Sequence, residues 1–176
     1  FVLMMVMSIF LVVGVDVGFN SNSGNFLVKH FGIDSTAAES GRSVYFFGRM
    51  LGTFLGAVLL TRITSGKFLL WTTLLGILCF VIMMLVTSPA LAWLLVFMAG
   101  FAVANIWPLI FSIAVQRYPE RSNEISGLMM MAISGGAVVP LLIGWISDMS
   151  NVTIGMSVLV ICMIYLFIVS LVCREK

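Results

Sequence analysis

Six apolar runs, each close to the length that crosses a hydrocarbon core as a helix, are separated by short polar linkers. They cover residues 1–28, 42–61, 67–86, 89–115, 123–147 and 152–172. A backbone inside lipid finds no water to bond, so runs of this kind satisfy their own amides as helices. Apolar residues are 61% of the chain and charged residues 9%, whereas a soluble domain is about half apolar and a quarter charged. The expected fold class is therefore all-α integral membrane, with six transmembrane helices. A net charge of +2 is too small to suggest nucleic acid as a partner; the lipid bilayer is the first partner.

The linkers set the orientation. Residues 29–41, "KHFGIDSTAAESG", form the longest; "TRITSGK" and "QRYPERS" are basic or mixed, and "TSP" and "DMSN" are tight polar turns. An even number of spans puts both ends on one side, together with Arg62, Lys67, Arg117, Arg121, Arg174 and Lys176. Lys29 and Arg42 fall on the other side. The positive-inside rule then places both termini in the cytoplasm, and the expected membrane is a bacterial inner one. The chain opens on Phe1, already inside an apolar run that is too long for a cleavable signal, and this reads as a piece of something longer. Cys79, Cys162 and Cys173 lie in apolar runs without metal-ligand spacing, so small buried hydrophobes are expected, with no metal and no cofactor.

The runs differ, and the differences recur every third run. The first carries Gly14, Asp16, Gly18, Asn20, Asn22, Ser23 and Asn25; the fourth carries Gly100, Asn105, Pro108, Ser112 and Gln116. Both are expected to be polar, interrupted helices. The second places Gly48, Gly52 and Gly56 four apart, and the fifth does the same with Gly136, Pro140 and Gly144. Positions four apart share a helix face, so each set predicts a smooth strip for close backbone packing. The third and sixth runs hold nothing more polar than Thr, Ser or Tyr and read as outer, lipid-facing helices. Polar, glycine-bearing, plain, and then again is the pattern of a 3+3 inverted-topology repeat, in which interrupted segments at corresponding places point to a midplane binding site.

Within residues 102–115, "AVANIWPLIFSIAV", Asn105, Leu109, Ser112 and Gln116 share one stripe, with Trp107 and Pro108 turned aside. Asn105 can donate and accept, which suits a hydroxyl-rich ligand, and Trp107 offers an apolar face for a sugar ring. Pro108 leaves the carbonyl of Ala104 without its helical donor. The other reading is that Asn105 bonds a neighbouring helix and Pro108 is a simple kink. Asp16 and Arg49 are the ionisable residues deep in a run, and a charge there needs a partner. An Asp16–Arg49 pair would fix the first helix against the second, or open during transport. Asp16, Asn20 and Ser23 lie along one face, which is either the second wall of a site or, for Asp16, an ion-pair position only. His30 is expected to be a solvated loop residue.

The stretch "NIWPLIFSIAVQRYPERSNEISGLMMMAISGGAVVPLLIGWISD" resembles the fucose–proton symporter family of the major facilitator superfamily, in the region of its tenth and eleventh helices. The residues that carry the resemblance are Trp107, Pro108, Ile110, Phe111 and Ser112, then Ser126, Gly127, Gly135, Gly136, Ala137, Pro140, Leu141, Gly144 and Asp148. "GVDVGFNSNSGNFL" is similar to the family's acidic-Val-Gly seventh helix, with Asp16 where Glu is more usual. "FFGRMLGTFLGAVLL" is similar to its Gly-Arg-x-x-Gly eighth helix. The loop "QRYPERSNEIS" is more charged than the family's glycine-bearing one.

The resemblance implies the C-terminal half, residues 1–176, of a twelve-helix importer of neutral hexose-type sugars such as fucose, glucose or galactose. It further implies coupling to a proton or sodium gradient, and an N-terminal six-helix half that completes the cavity and holds the main proton-carrying carboxylates. On this reading Asp16, Asn20, Asn22, Asn105, Trp107 and Ser112 face the substrate, while Arg49, Pro108, Gly136 and Pro140 serve packing and gating. A transporter of a drug, organic acid or peptide, and a non-transporting membrane subunit, remain as alternatives. An intramembrane serine protease would need a base beside its nucleophile, and the one histidine, His30, falls in a linker, so no enzyme is expected.

Overall fold

The first run contains no proline and stops at Gly32, whose positive φ of 66° lets the chain turn back, Gly32 N–H to the Val28 carbonyl and Ile33 N–H to the Leu27 carbonyl. The computed structural model, which describes residues 1–174, accordingly forms one unbroken helix there, α1 (Val2–Phe31). Lys176 and the Arg174 side chain, both counted in the charge bias above, lie outside what is described. The expectation that the first run is interrupted like the fourth is thus corrected. Its polar side chains bond back along their own helix, Asn20 Nδ2 to the Asp16 carbonyl at 2.8 Å and Asn22 Nδ2 to the Gly18 carbonyl at 3.0 Å, and leave the backbone ladder intact.

The long linker contains a short helix, α2 (Ser35–Glu39), started by Asp34, whose carboxylate accepts from the Thr36 N–H at 3.0 Å. Next come α3 (Gly41–Leu59) and α4 (Ser65–Leu85). The fourth run is two helices, α5 (Pro89–Val103) and α6 (Ile106–Arg117), broken at Ala104 and Asn105. The break lies one turn before Pro108, which has no N–H for the Ala104 carbonyl; pairing resumes with Leu109 N–H on Asn105 O at 3.1 Å. The fifth run is one candidate span, as expected, but its helix is not uniform. It has α7 (Ser122–Met131), a 3-10 turn at Ala132–Ser134 and α8 (Gly135–Met149), with Pro140 inside α8. The sixth is α9 (Val152–Arg174).

Among the described residues, five stretches are long and apolar enough to cross a membrane: Val2–Phe31, Ser65–Leu85, Pro89–Arg117, Pro119–Met149 and Val152–Cys173. At 19 residues α3 is of comparable length, but Arg42, Arg49 and four glycines dilute its apolar character. The chain is an integral membrane protein.

In lipid, helices gain little from hiding apolar surface and associate through close packing and polar bonds. Here α1 packs on α8 and α9, α3 packs on α5, and α4 packs on α5 and α9. α4 and α9 lie against each other and expose Trp71, Leu78, Ile82, Ile161, Ile164 and Ile168, in keeping with outer helices.

The α3 strip is as predicted. A Cβ at Gly48 would overlap the Phe97 carbonyl, one at Gly52 would meet the Phe101 carbonyl at 2.6 Å, and one at Gly56 would overlap the Asn105 side chain. The α8 strip is displaced by one residue. Gly135, Val139 and Ile143 are buried against α1, Gly136 touches Val13 and Val17 from the margin, and Gly144 has nothing within 4 Å. A one-residue shift turns a helix by about 100°, so Pro140 and Gly144 leave the interface.

The two ends of the bundle are distinct. At one, Phe1, Thr64, Ser65, Gly66, Gln116 and Arg117 border a common hollow of about 520 Å³, and the Arg117 guanidinium lies 4.1 Å over the Phe1 ring. At the other, His30 joins three helix ends. Its Nε2 is 3.1 Å from the Val86 carbonyl, its Nδ1 is 3.0 Å from Thr153 Oγ1, and its ring stacks on Phe26. The expected solvated loop residue is instead a half-buried staple at the end of α1. A linker position in sequence becomes the last helical turn, which aims the ring at α4 and α9.

Candidate functional site: a polar seam along α1 and α3

Asp16 sits in the middle of α1, and the first half of α3 crosses it. Tyr45 and Arg49 are one turn apart on α3 and both reach Asp16. The Tyr45 hydroxyl donates to Oδ1 at 2.8 Å, and the Arg49 guanidinium donates to Oδ2. Tyr45 is fully buried, whereas the side chains of Asp16 and Arg49 keep 19% and 32% exposure. The predicted ion pair is therefore present and reinforced by a neutral donor. Unpaired, either charge at membrane depth would cost about 3 kcal/mol. Tyr45 was missed from sequence, although its place four residues before Arg49 puts both on one face.

One turn further along α1, Arg42 Nε donates to the Asn20 carbonyl at 3.0 Å, and Ser23 Oγ to the same carbonyl at 3.3 Å. The Asn20 amide nitrogen is spent on the Asp16 carbonyl. Its Oδ1 is buried and has no donor, which costs about 1–3 kcal/mol unless something else supplies one. Asp16, Asn20 and the half-buried Asn22 thus form one polar stretch of α1, with a strong acceptor free at Asn20.

The residues predicted on the fourth run do not join it. Asn105 is 6% exposed and donates its amide to the Gly52 carbonyl at 2.7 Å. This is the helix-to-helix alternative, and it replaces the expectation of an amide facing a ligand. Ser112 accepts from Gln116 Nε2 at 2.8 Å, and Trp107 stacks on Phe111 with centroids 5.3 Å apart, both residues half-buried on α6. Pro108 is exposed. Arg49 does hold α1 to α3, Gly136 borders the α1–α8 contact, and Pro140 is half-buried within α8.

The hollow of about 520 Å³ is bordered by Phe1, not by the polar stretch; on a helix, Phe1 and Asp16 are about 22 Å apart. Along the seam Asp16 and Arg49 keep partial exposure, whereas the Asn20 Oδ1 is buried. Among the described residues, no group of His, Cys, Asp and Glu is arranged to hold a metal ion.

Residues 3–176 match the Major Facilitator Superfamily. A Helicobacter pylori relative, whose name refers to glucose and galactose, is 30% identical over 174 residues, 94% of this chain and 42% of its own length. The glucose/galactose transporter of Brucella abortus is 29% identical over 160 residues, 90% of this chain and 39% of its own. The chain thus spans about two fifths of the length of these relatives. Among solved structures, the superfamily transporter FucP in its outward conformation aligns with a TM-score of 0.91 at 20% identity, over 98% of this chain and 42% of its own. An auto-inhibited POT family peptide transporter aligns at 0.81 and 16% identity, over 99% and 37%. At these identities the structures speak for the fold alone. With the family matched over residues 3–176, nearly the whole chain, this chain belongs to the Major Facilitator Superfamily.

Proposed function

We propose that the chain is the C-terminal six-helix half of a secondary active transporter that imports a neutral hexose of the fucose, glucose or galactose class. Import is by cation symport, proton-driven, with sodium as the alternative ion, and proceeds by alternating access. The other wall of the cavity belongs to an N-terminal six-helix half. The observation that carries this reading is the buried Asn20 oxygen without a donor, one turn from Asp16 on the polar stretch of α1. A sugar hydroxyl that reached it on an opening of the seam would be the donor it lacks. Asn22, Trp107 and Ser112 are the further contacts. Arg49 is already engaged by Asp16, which favours a neutral polyol over an organic acid. The names of the Helicobacter and Brucella relatives support hexoses as the class.

The six spans divide three and three as an inverted repeat, and the packing supports this division. Exchanging the first run with the fourth, the second with the fifth and the third with the sixth turns the α1–α8 contact into the α5–α3 contact, and α1–α9 into α5–α4. Gly14 against Gly135 and Gly100 against the Tyr45–Arg49 turn are matching crossings. Both termini are cytoplasmic in an inner membrane, with Arg62, Lys67, Arg117 and Arg121 at the end that carries Phe1.

The test is uptake of labelled fucose, glucose and galactose by proteoliposomes of the full-length protein under an imposed proton or sodium gradient. Asn20→Ala is expected to raise KM for the transported hexose about tenfold, the worth of one buried hydrogen bond. Uptake of none of these sugars overturns the substrate reading, and an unchanged KM removes Asn20 from the site.

A further inference from the structure

We infer that Asn105 is a positioning residue that ties the break in the fourth run to the turn of α3 holding Asp16, so that release of the carboxylate and bending at the break are one movement. The inference rests on the transport reading for its purpose, but its geometry is independent of the substrate.

Three contacts on successive turns of α3 carry it. At the first, Tyr45 and Arg49 hold Asp16 with their side chains while their backbone lies directly on Gly100 of α5. A Cβ on Gly100 would overlap the Tyr45 carbonyl and come within 3.2 Å of the Arg49 nitrogen. At the second, the Gly52 carbonyl accepts the Asn105 amide at 2.7 Å. That carbonyl lies inside α3, where the Gly56 N–H already serves it, so the bond answers no need of the helix and acts as a bridge between helices. At the third, Gly56 lacks the Cβ that would overlap the Asn105 side chain. Glycines on either side of the bond therefore make a seat for this one amide.

Asn105 stands at the break itself. Its backbone is the first residue of the new helical pairing, and the Ala104 carbonyl before it has no helical donor because Pro108 lacks an N–H. A helix joint with a missing ladder bond bends more easily than the flanking helices, α5 and α6. Arg49 and Gly52 are three residues apart on a continuous helix, so a shift of α3 that frees Asp16 moves the anchor of Asn105 as well. Without the amide the tie between the joint and α3 would rest on packing such as that of Ala104 over Gly52. Asn105 thus contributes to timing and not to sugar affinity.

The test uses the full-length protein with nitroxide labels introduced through Leu59→Cys and Gln116→Cys, at exposed ends of α3 and α6. Asp16→Asn, and in parallel Tyr45→Phe should the first variant not fold, weakens the hold on the carboxylate. Either change is expected to shift the distance distribution between the labels, and Asn105→Ala is expected to abolish that shift. Asn105→Ala alone should bind hexose within about twofold of the parent while turning over at least about tenfold more slowly. An equal shift with and without Asn105, or no shift in either carboxylate-side variant, overturns the inference. So does a loss of sugar affinity that accounts for the whole loss of turnover, which would make Asn105 a ligand. Absence of hexose uptake by the parent protein would count against the transport reading alone, because the distance measurement needs no sugar.

Discussion

Along α3, three glycines admit Phe97, Phe101 and Asn105 of the broken fourth run, and Arg42, Tyr45 and Arg49 add polar bonds to α1. Along α8, Gly135 receives the Phe10 carbonyl and α1 returns the space, with Val139 seated over Gly14 and Ile143 over Gly18. Among the described residues, no side-chain hydrogen bond crosses from α8 to α1; the Ser147 hydroxyl returns to the Ile143 carbonyl of its own helix. Both helices occupy the same place in the pattern of three. One is held by close contact alone, while the other is held by close contact plus an ion pair and two kinds of hydrogen bond. Backbone proximity suffices where two apolar helix faces meet. Polar bonds are concentrated where a charge has to be accommodated and where a helix is broken. That concentration sets α3 apart as the helix that bonds both Asp16 and the break at Asn105.

The comparison can be broken most sharply at its shared element. Gly48→Val and Gly135→Val each press a branched side chain onto a partner carbonyl, and each is expected to cost more than about 4 kcal/mol. Thermal unfolding of the solubilised full-length protein should show loss of the folded form in both. Tolerance of one and not the other would end the correspondence between the two crossings.

The difference between the helices is tested next. Arg49→Gln leaves Asp16 without its cation and should lower stability by about 3 kcal/mol. Ser147→Ala on α8 should stay within about 0.5 kcal/mol, since it removes only a bond internal to its helix. Equal effects would mean that the polar bonds of α3 add nothing to packing. Asn105→Ala gives up one buried hydrogen bond, and a loss of about 1 kcal/mol in the same unfolding measurement is expected. One small effect has the opposite sign. Gly144→Ala adds a methyl with no atom within 4 Å of it and should raise stability by about 0.5 kcal/mol from helix propensity. A destabilised Gly144→Ala protein would restore the strip expected at Gly136, Pro140 and Gly144.

How much of the site could be read from the chain depended on what each residue requires by itself. Asp16 and Arg49 demand partners at membrane depth whatever surrounds them, and their similar depths make each other the available choice. The pairing was legible. Asn105 demands a partner too, but an amide is satisfied equally by a ligand, a side chain or a carbonyl of another helix. Only the rotation of α3 decides that the Gly52 carbonyl is the partner, and Gly52 lies more than fifty positions earlier in the chain. His30 illustrates the same point at the bundle end, because its two ring nitrogens meet Val86 and Thr153, which are remote from it in sequence.

The sequence by itself determined the solvent and the break in the fourth run, because apolar content and the missing N–H of Pro108 act locally and do not depend on distant neighbours. It also determined that a carboxylate and a guanidinium would be drawn together. Which face of α8 meets α1, which carbonyl receives Asn105, and which acceptor is left free at Asn20 were decided by tertiary structure. Those outcomes turn on helix rotations of about 100° per residue, and the rotations are set jointly by all the helices packed around α1 and α3.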